Sequence, residues 1–355
     1  MCIRDRYNTP DWETLRGVNR TQVSDNFKYD ISETNFLLGG AGIYNDHGIM
    51  VDKSDTTMYY NGKNTINLYN TFGYMEYHAS SPYIDLTIGG RIEYHNLFGL
   101  SYAPRVGLTK VINKFHYKFL FSKAYKTPSI GNLDYQHNLI PEDAYVMELE
   151  LGYKLNDNMF ITGTFFDITK LRNIVYWDSV TTAEYGYKLG GRTGSRGFEF
   201  DYRFRYLWGS LTLNYSYYFG AHKNTIAEYA IPGDLNKYLS APQNKIAASL
   251  MINATEHISI TPSLVFMGRR YGYNRWSADT TVLLIKEFDP ALLVNIYINC
   301  RDVFVKGMNV GFGVYDLLNQ KPPYIQPYYG SLPPFTAPSR EIIVRLTYNF
   351  GFKEK

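Results

Sequence analysis

The chain has 355 residues, a formal net charge of +3 and a mean hydropathy of −0.30. Its basic residues are scattered, which excludes the clustered positive charge of a nucleic-acid-binding surface, and the absence of any run of about 18 apolar residues excludes a membrane-spanning helix. Aromatic residues nevertheless make up 17% of the chain. A chain that is hydrophilic on average but rich in Tyr and Phe is typical of strands that alternate lipid-facing and lumen-facing residues.

The first six residues differ in character from those that follow. Met1 to Arg6 are mostly charged or polar and lead into polar sequence rather than the apolar segment of a signal peptide. We therefore interpret residues 1–6 as a non-native leader, residues 7–355 as one partial β-barrel domain, and the natural start of the chain as lying upstream. Cys2 and Cys300 are too few and too far apart for a disulfide framework or a zinc site.

Alternation of apolar and polar residues predicts most of the strands, because successive side chains of a strand point to opposite faces. In chain order the alternating segments are 83–94, 115–121, 147–155, 198–206, 211–219, 245–252, 292–298 and 342–352; residues 65–78 and 159–170 alternate less clearly. The pattern predicts one outward set, Leu149, Leu151, Phe200, Tyr202, Leu213 and Tyr215. It predicts an inward set of Glu148, Glu150, Asp201, Arg203, Thr212 and Asn214.

The connections between these strands alternate between short and long. Short joints near residues 31–35, 79–82, 110–114, 155–158, 207–210, 253–256 and 302–306 are followed by joints near 46–64, 95–99, 125–143, 174–190, 221–242, 269–289 and 319–338. A soluble β-sandwich also alternates in polarity, but short turns on one side and long loops on the other are typical of an outer-membrane barrel.

The strand count predicts an incomplete transmembrane antiparallel β-barrel. We count about 15 strands, whereas bacterial single-chain barrels have even numbers, so we expect N-terminal strands to be absent from a barrel of about 22 strands. The first and last of 15 antiparallel strands would run parallel to each other. We therefore expect no regular hydrogen-bonded ladder between residues near 19–31 and the strand at 341–352.

Several short motifs resemble the TonB-dependent receptor family, in the family's order. They are Leu-Ser-Tyr-Ala-Pro-Arg-Val-Gly-Leu at 100–108, Ala-Tyr-Lys-Thr-Pro-Ser at 124–129, Asn-Leu-Ile-Pro-Glu at 138–142, Gly-Phe-Glu-Phe at 197–200, Val-Tyr-Asp-Leu-Leu-Asn at 314–319 and Pro-Ser-Arg at 338–340. The resemblance covers about residues 80–355. Lys126, Asp316 and Ser339 depart from the family's usual Arg, Asn and Gly. The family's plug domain is not recognisable in the sequence, so the resemblance implies a C-terminal barrel portion.

Two groups of candidate site residues follow from this interpretation. Charged residues on the inward face are candidates for lumen or plug contacts, with a solvated lumen wall as the alternative: Glu148, Glu150, Glu199, Asp201, Arg203 and Arg205. Aromatic residues in the long loops are candidates for ligand contacts, with loop packing or an interfacial belt as the alternative: Tyr135, Tyr176, Trp177, Tyr271, Tyr273, Trp276, Tyr324, Tyr328 and Tyr329. The dispersed histidines indicate no metal site, and no cofactor is expected.

The resemblance implies an outer-membrane receptor for active uptake of a scarce nutrient, such as a metal chelate, a cofactor or an oligosaccharide, in a Gram-negative bacterium. Its expected partners are membrane lipid, the small ligand and the TonB complex, acting through the plug. A passive porin is the alternative within transport. A barrel enzyme is less favoured, because Glu148 and Glu150 have no convergent nucleophile or His and the strand count exceeds that of small enzymatic barrels.

Overall fold

The computed structural model describes residues 16–50, 59, 61–133, 138–178, 185–276, 283–327 and 334–350. Within this part the strands are β1 (Arg16–Asp30), β2 (Asn35–Met50), β3 (Thr65–Ser80), β4 (Asp85–His95), β5 (Gly99–Ile112), β6 (Phe115–Lys126), β7 (Glu142–Asn156), β8 (Met159–Leu171), β9 (Ile174–Asp178), β10 (Tyr185–Leu189), β11 (Thr193–Tyr206), β12 (Gly209–Phe219), β13 (Ala230–Ile231), β14 (Asp234–Tyr238), β15 (Asn244–Asn253), β16 (Ile258–Met267), β17 (Arg270–Trp276), β18 (Leu283–Phe288), β19 (Ala291–Cys300), β20 (Met308–Tyr315) and β21 (Glu341–Tyr348). One 3-10 helix spans Ile130–Leu133. None of the helices in the described ranges has the length and apolarity needed to cross a membrane.

Fifteen strands form one large sheet. Its order is β1-β2-β3-β4-β5-β6-β7-β8-β11-β12-β15-β16-β19-β20-β21, which follows the chain with the strands of the long connections left out. The predicted all-β, antiparallel fold with about 15 strands is therefore confirmed. The remaining strands form three separate hairpins, β9–β10, β13–β14 and β17–β18, in segments that the sequence predicted as loops. Their local pairing was missed because they are short and their pattern does not alternate clearly.

The chain divides into two units by its internal contacts. The first comprises Met1–Lys110, Lys118–Glu148 and Asp167–Gly194, and the second Val111–Tyr117, Leu149–Phe166 and Ser195–Lys355.

In the first unit, β3 has one buried and one exposed face in its first half. Ile66, Leu68, Asn70 and Phe72 are buried, whereas the residues between them are exposed. Ile66 and Leu68 pack in an apolar cluster with Met50, Tyr59, Ile130 and Leu133. The 3-10 helix therefore covers this part of the strand face.

The connection between β4 and β5 comprises residues 96–98 and lies at the predicted joint, 95–99, although it is much shorter than the other joints on its side of the sheet. The side chain of Asn96 accepts a hydrogen bond from the Tyr69 N–H at 3.0 Å and donates to the Asn67 carbonyl at 3.3 Å. Leu97 and Phe98 pack against the apolar cluster. These contacts hold the short turn against the neighbouring strand β3.

In the second unit, the register of β11 and β12 separates the two predicted sets of side chains. Phe200 lies opposite Tyr215 and Tyr202 opposite Leu213, whereas Asp201 lies opposite Asn214 and Arg203 opposite Thr212. Directly opposed residues share a face. The apolar face continues across neighbouring strands as a shallow groove of about 460 Å³ whose lining includes Leu149, Leu151, Phe165, Phe198 and Phe200.

On the polar face of the same unit, one aromatic ring covers two glycines. Tyr297 of β19 lies opposite Gly313, and a Cβ added at Gly311 would lie 1.9 Å from the Tyr297 hydroxyl. The ring thus occupies the space that side chains on β20 would otherwise fill.

Candidate functional site

The long connections of the second unit pack on one another. Leu239, just after β14, forms a β-bridge with Tyr271 of β17, and the Ser240 N–H donates to the Tyr271 carbonyl at 2.7 Å. Leu239 and Tyr273 are buried together, with Ile231 and Ile285 packed against them. The β13–β14 and β17–β18 hairpins therefore form one folded loop structure.

Charged side chains and the Tyr271 ring interact on the exposed side of this loop structure. The Lys237 ammonium lies 4.8 Å from the centre of the Tyr271 ring and 3.2 Å from Asp234. Hydrogen bonding to Tyr271, and then to Asp234, raises the pKa of Lys237. The Tyr271 hydroxyl donates to Glu287 at 2.8 Å, and Arg269 pairs with the same carboxylate at 2.9 Å.

Arg270, on the other side of β17, is buried. Its side chain reaches the segment after β20, where Nη1 donates to the Pro323 carbonyl at 3.0 Å. Nε and Nη2 are buried and have no hydrogen-bond partner among the described residues. Burial lowers the pKa of the guanidinium, which still carries its charge at neutral pH.

Asp316 shapes the start of the last long connection. It has a φ of 47°, and its carboxylate accepts the Gln320 N–H at 2.9 Å and the Lys321 N–H at 3.0 Å. Its own N–H donates to Asn295 at 3.0 Å. Both Asp and Asn tolerate a positive φ and offer a side-chain acceptor, which explains why Asp can replace the family's Asn here.

The first unit contains a buried polar network between β2, β3, β4 and β6. Glu93, 5% exposed, accepts hydrogen bonds from the hydroxyls of Tyr44 at 2.9 Å and Tyr125 at 2.8 Å and from Arg91 at 2.7 Å. The Arg91 guanidinium lies 3.9 Å from the centre of the Phe72 ring. The carboxylate is fully engaged, so the network fixes these strands relative to one another.

A second charged cluster lies where β6, β7 and β8 meet their connections. Asp143, 6% exposed, lies 3.4 Å from Lys123 and accepts a hydrogen bond from Arg172. Arg172 also donates to the Pro141 carbonyl at 3.0 Å. These contacts anchor the start of the connection that carries the β9–β10 hairpin.

The predicted inward residues have polar contacts on their own faces. Glu148 lies 3.3 Å from Lys118, Glu150 lies 3.2 Å from His116, and Asp201 accepts a hydrogen bond from Asn214. Glu199, Arg203 and Arg205 alternate with aromatic residues along β11. Their assignment to plug contacts stays a prediction.

The predicted loop aromatics separate into exposed and buried residues. Tyr176 and Tyr324 are exposed, and Tyr176 lies edge-on to Tyr187 at 5.6 Å. Tyr273 is buried, and the ligand-contact role of these aromatics stays a prediction. The structure places Trp177 in β9 and Trp276 in β17, and it does not describe their side chains; Tyr135, Tyr328 and Tyr329 lie outside the described residues.

Sequence reasoning missed Arg270 and Glu93. Arg270 is the second of two consecutive arginines just beyond β16, but nothing in the sequence distinguishes the buried Arg270 from its exposed neighbour Arg269. Glu93 occupies an ordinary polar position of an alternating strand, so its burial also depends on tertiary contacts.

The sequence also matches a known protein family. A family model described as TonB dependent receptor-like, beta-barrel matches residues 3–317. The chain belongs to this family. The match confirms the resemblance inferred from the short motifs and extends it toward the amino terminus. TonB-dependent receptor barrels and their solved relatives are Gram-negative outer-membrane proteins, so this receptor chain is placed in the outer membrane.

Solved TonB-dependent receptors share the fold of this receptor chain. The siderophore receptor PirA from Acinetobacter baumannii superposes with a TM-score of 0.74 at 15% identity, over 97% of this chain and 56% of PirA. A mutant of the ferric enterobactin receptor from Pseudomonas aeruginosa, in complex with enterobactin, superposes with a TM-score of 0.73 at 14% identity. The superposition covers 96% of this chain and 55% of that receptor. The FrpB iron transporter from Neisseria meningitidis superposes with a TM-score of 0.73 at 12% identity, over 95% of this chain and 56% of FrpB.

The receptor chain thus spans about half the length of each of these structures. No curated protein sequence matches it.

Proposed function

We propose that the protein carrying this chain is an outer-membrane receptor that takes up a scarce nutrient by active transport energised through TonB. The family match over residues 3–317 is the observation that carries this proposal. The family is one of receptors and transporters, which also supports a non-enzymatic role.

The proposed ligand is a metal chelate. Two of the structural relatives are described as siderophore or ferric enterobactin receptors and one as an iron transporter, which supports this class over a cofactor or an oligosaccharide. Exposed aromatic residues in the loops, Tyr176 and Tyr324 among those described, offer amphipathic surface for such a ligand. The inward charged residues are proposed to contact the plug of the full protein.

Uptake of radioactively labelled ferric chelates by cells that express the full-length gene in place of their own receptors would test the proposal. We expect accumulation that stops when TonB is deleted or the proton gradient is collapsed. The same cells given labelled cobalamin and labelled maltooligosaccharides provide the comparison between ligand classes.

A passive porin predicts a different result. Solute entry would then be insensitive to TonB and to uncouplers, and it would rise in proportion to concentration without saturating. That result would replace active uptake with diffusion as the function.

A further inference from the structure

Arg270 is a charged group in an environment that does not satisfy it. The side chain is 6% exposed, and among the described residues only Nη1 has a hydrogen-bond partner, the Pro323 carbonyl. A buried guanidinium is ordinarily paired with an anion or fully hydrogen-bonded, because burial removes the water that would stabilise the charge. The present arrangement is therefore energetically unfavourable at Nε and Nη2.

Among the described residues, no acidic side chain pairs with Arg270. Glu287, the carboxylate in the described part of the same hairpin, already binds Arg269 and the Tyr271 hydroxyl. Tyr271 follows Arg270 in β17 and lies opposite Glu287 in β18, whereas Arg270 lies opposite Phe288, so Tyr271 and Glu287 project from the face of the hairpin opposite to Arg270. Arg270 is thus separated from Glu287 by the strand itself.

The segment that covers Arg270 is also incompletely satisfied. Ile325 packs so closely on Gly272 that a Cβ there would lie 2.1 Å from the Ile325 Cγ2. The next residue, Gln326, has its side-chain oxygen buried without a hydrogen-bond partner among the described residues. Residues 323–326 therefore contact Arg270 and Gly272 in β17, and this segment contains an unpaired buried acceptor where β17 contains two unpaired buried donors.

We propose that Arg270 is the anchor of an oxyanion-binding site that opens when residues 323–326 move away from β17. An oxyanion, such as a carboxylate or phosphate, accepts two parallel hydrogen bonds from a guanidinium, which matches the unpaired Nε and Nη2. Among the described residues, opening breaks one hydrogen bond to Arg270, the bond to the Pro323 carbonyl, and a bound anion replaces it. The inference rests on the proposed function in one respect: the ligand would be the nutrient taken up, and it would carry an exposed anionic group.

Hydrogen–deuterium exchange of the full-length receptor in detergent tests the proposal. Citrate and inorganic phosphate are the probes, maltose is the neutral control, and sodium chloride keeps the ionic strength constant. The variant is Arg270→Gln, and the matched control is Arg269→Gln, which removes the adjacent exposed arginine. We expect either anion to accelerate exchange at residues 324–326 in the wild type and in R269Q, and not in R270Q.

Anion affinity gives a second readout. Losing a charge-assisted hydrogen-bond pair should weaken citrate or phosphate binding by about 10-fold or more in R270Q. An equal response in R270Q and R269Q, or no response of the wild type to either anion, overturns the proposal. Because exchange and binding are measured without transport, a receptor that fails the uptake test but keeps an Arg270-dependent anion response would refute the function alone.

Discussion

Leu213 and Thr212 are neighbours in β12 whose side chains lie on opposite faces of the sheet. Leu213 lies between Tyr202 and Ala248, and Thr212 between Arg203 and Ser249. Leu213→Arg should cost about 2–4 kcal/mol of folding free energy if the site is near the bilayer midplane, and Thr212→Arg should cost far less. Urea titrations of the full-length receptor in lipid vesicles measure both. Equal losses would contradict the assignment of the faces.

The Asp316 carboxylate is predicted to hold the start of the last long connection. Asp316→Ala removes the acceptor of two backbone hydrogen bonds and leaves a less tolerant residue at positive φ. We expect faster hydrogen exchange at Gln320 and Lys321 and a stability loss of about 2 kcal/mol. Asp316→Asn keeps an acceptor and serves as the control. Protection in D316A equal to that of the wild type would show that the carboxylate is dispensable.

At the scale of elements, the contact between β17 and the segment after β20 depends on a glycine, because Gly272 has no side chain to keep Ile325 away. Gly272→Ala places a methyl group against Ile325, and such overpacking typically costs about 1–3 kcal/mol. Residues 324–326 should therefore exchange faster in G272A, while the β17–β18 pairing persists. Gly163→Ala is the control, because a Cβ there would have nothing within 4 Å.

The double variant separates a local clash from general damage to the hairpin. Ile325→Ala removes the clashing Cγ2 and leaves a Cβ at 3.5 Å, an ordinary contact distance. Hydrogen exchange at residues 324–326 should be no faster in the double variant G272A/I325A than in I325A alone. An additive effect of the two substitutions would indicate that Gly272 acts through the backbone rather than through this contact.

At the scale of the whole molecule, β1 and β21 are the terminal strands of the sheet order. Strand edges left unpaired in hydrocarbon cost several kcal/mol for each unsatisfied group. We still expect residues 7–355 alone to form no heat-modifiable, SDS-resistant species after refolding in detergent, in contrast to the full-length receptor. A compact, heat-shifted band from residues 7–355 would contradict this expectation.

The sheet was predictable from the sequence because its signal is local. Alternation identified strands such as β7, β11 and β12, and the register then placed the predicted sets on opposite faces. The loops were not predictable in the same way. The packing of the β13–β14 hairpin on β17 and the burial of Arg270 depend on contacts between segments far apart in sequence, for which residue type alone gives no signal.

The period of two in the strands also restricts how such a gene can change over time. Inserting one codon near the start of β12 would move every later side chain of that strand to the other face. Leu213 and Tyr215 would then lie on the face that Thr212 and Asn214 now occupy. Inserting two codons would preserve the faces and alter only the length. Among relatives of this gene, insertions and deletions within the strands should therefore occur mainly in pairs of codons, whereas the connections should tolerate any number.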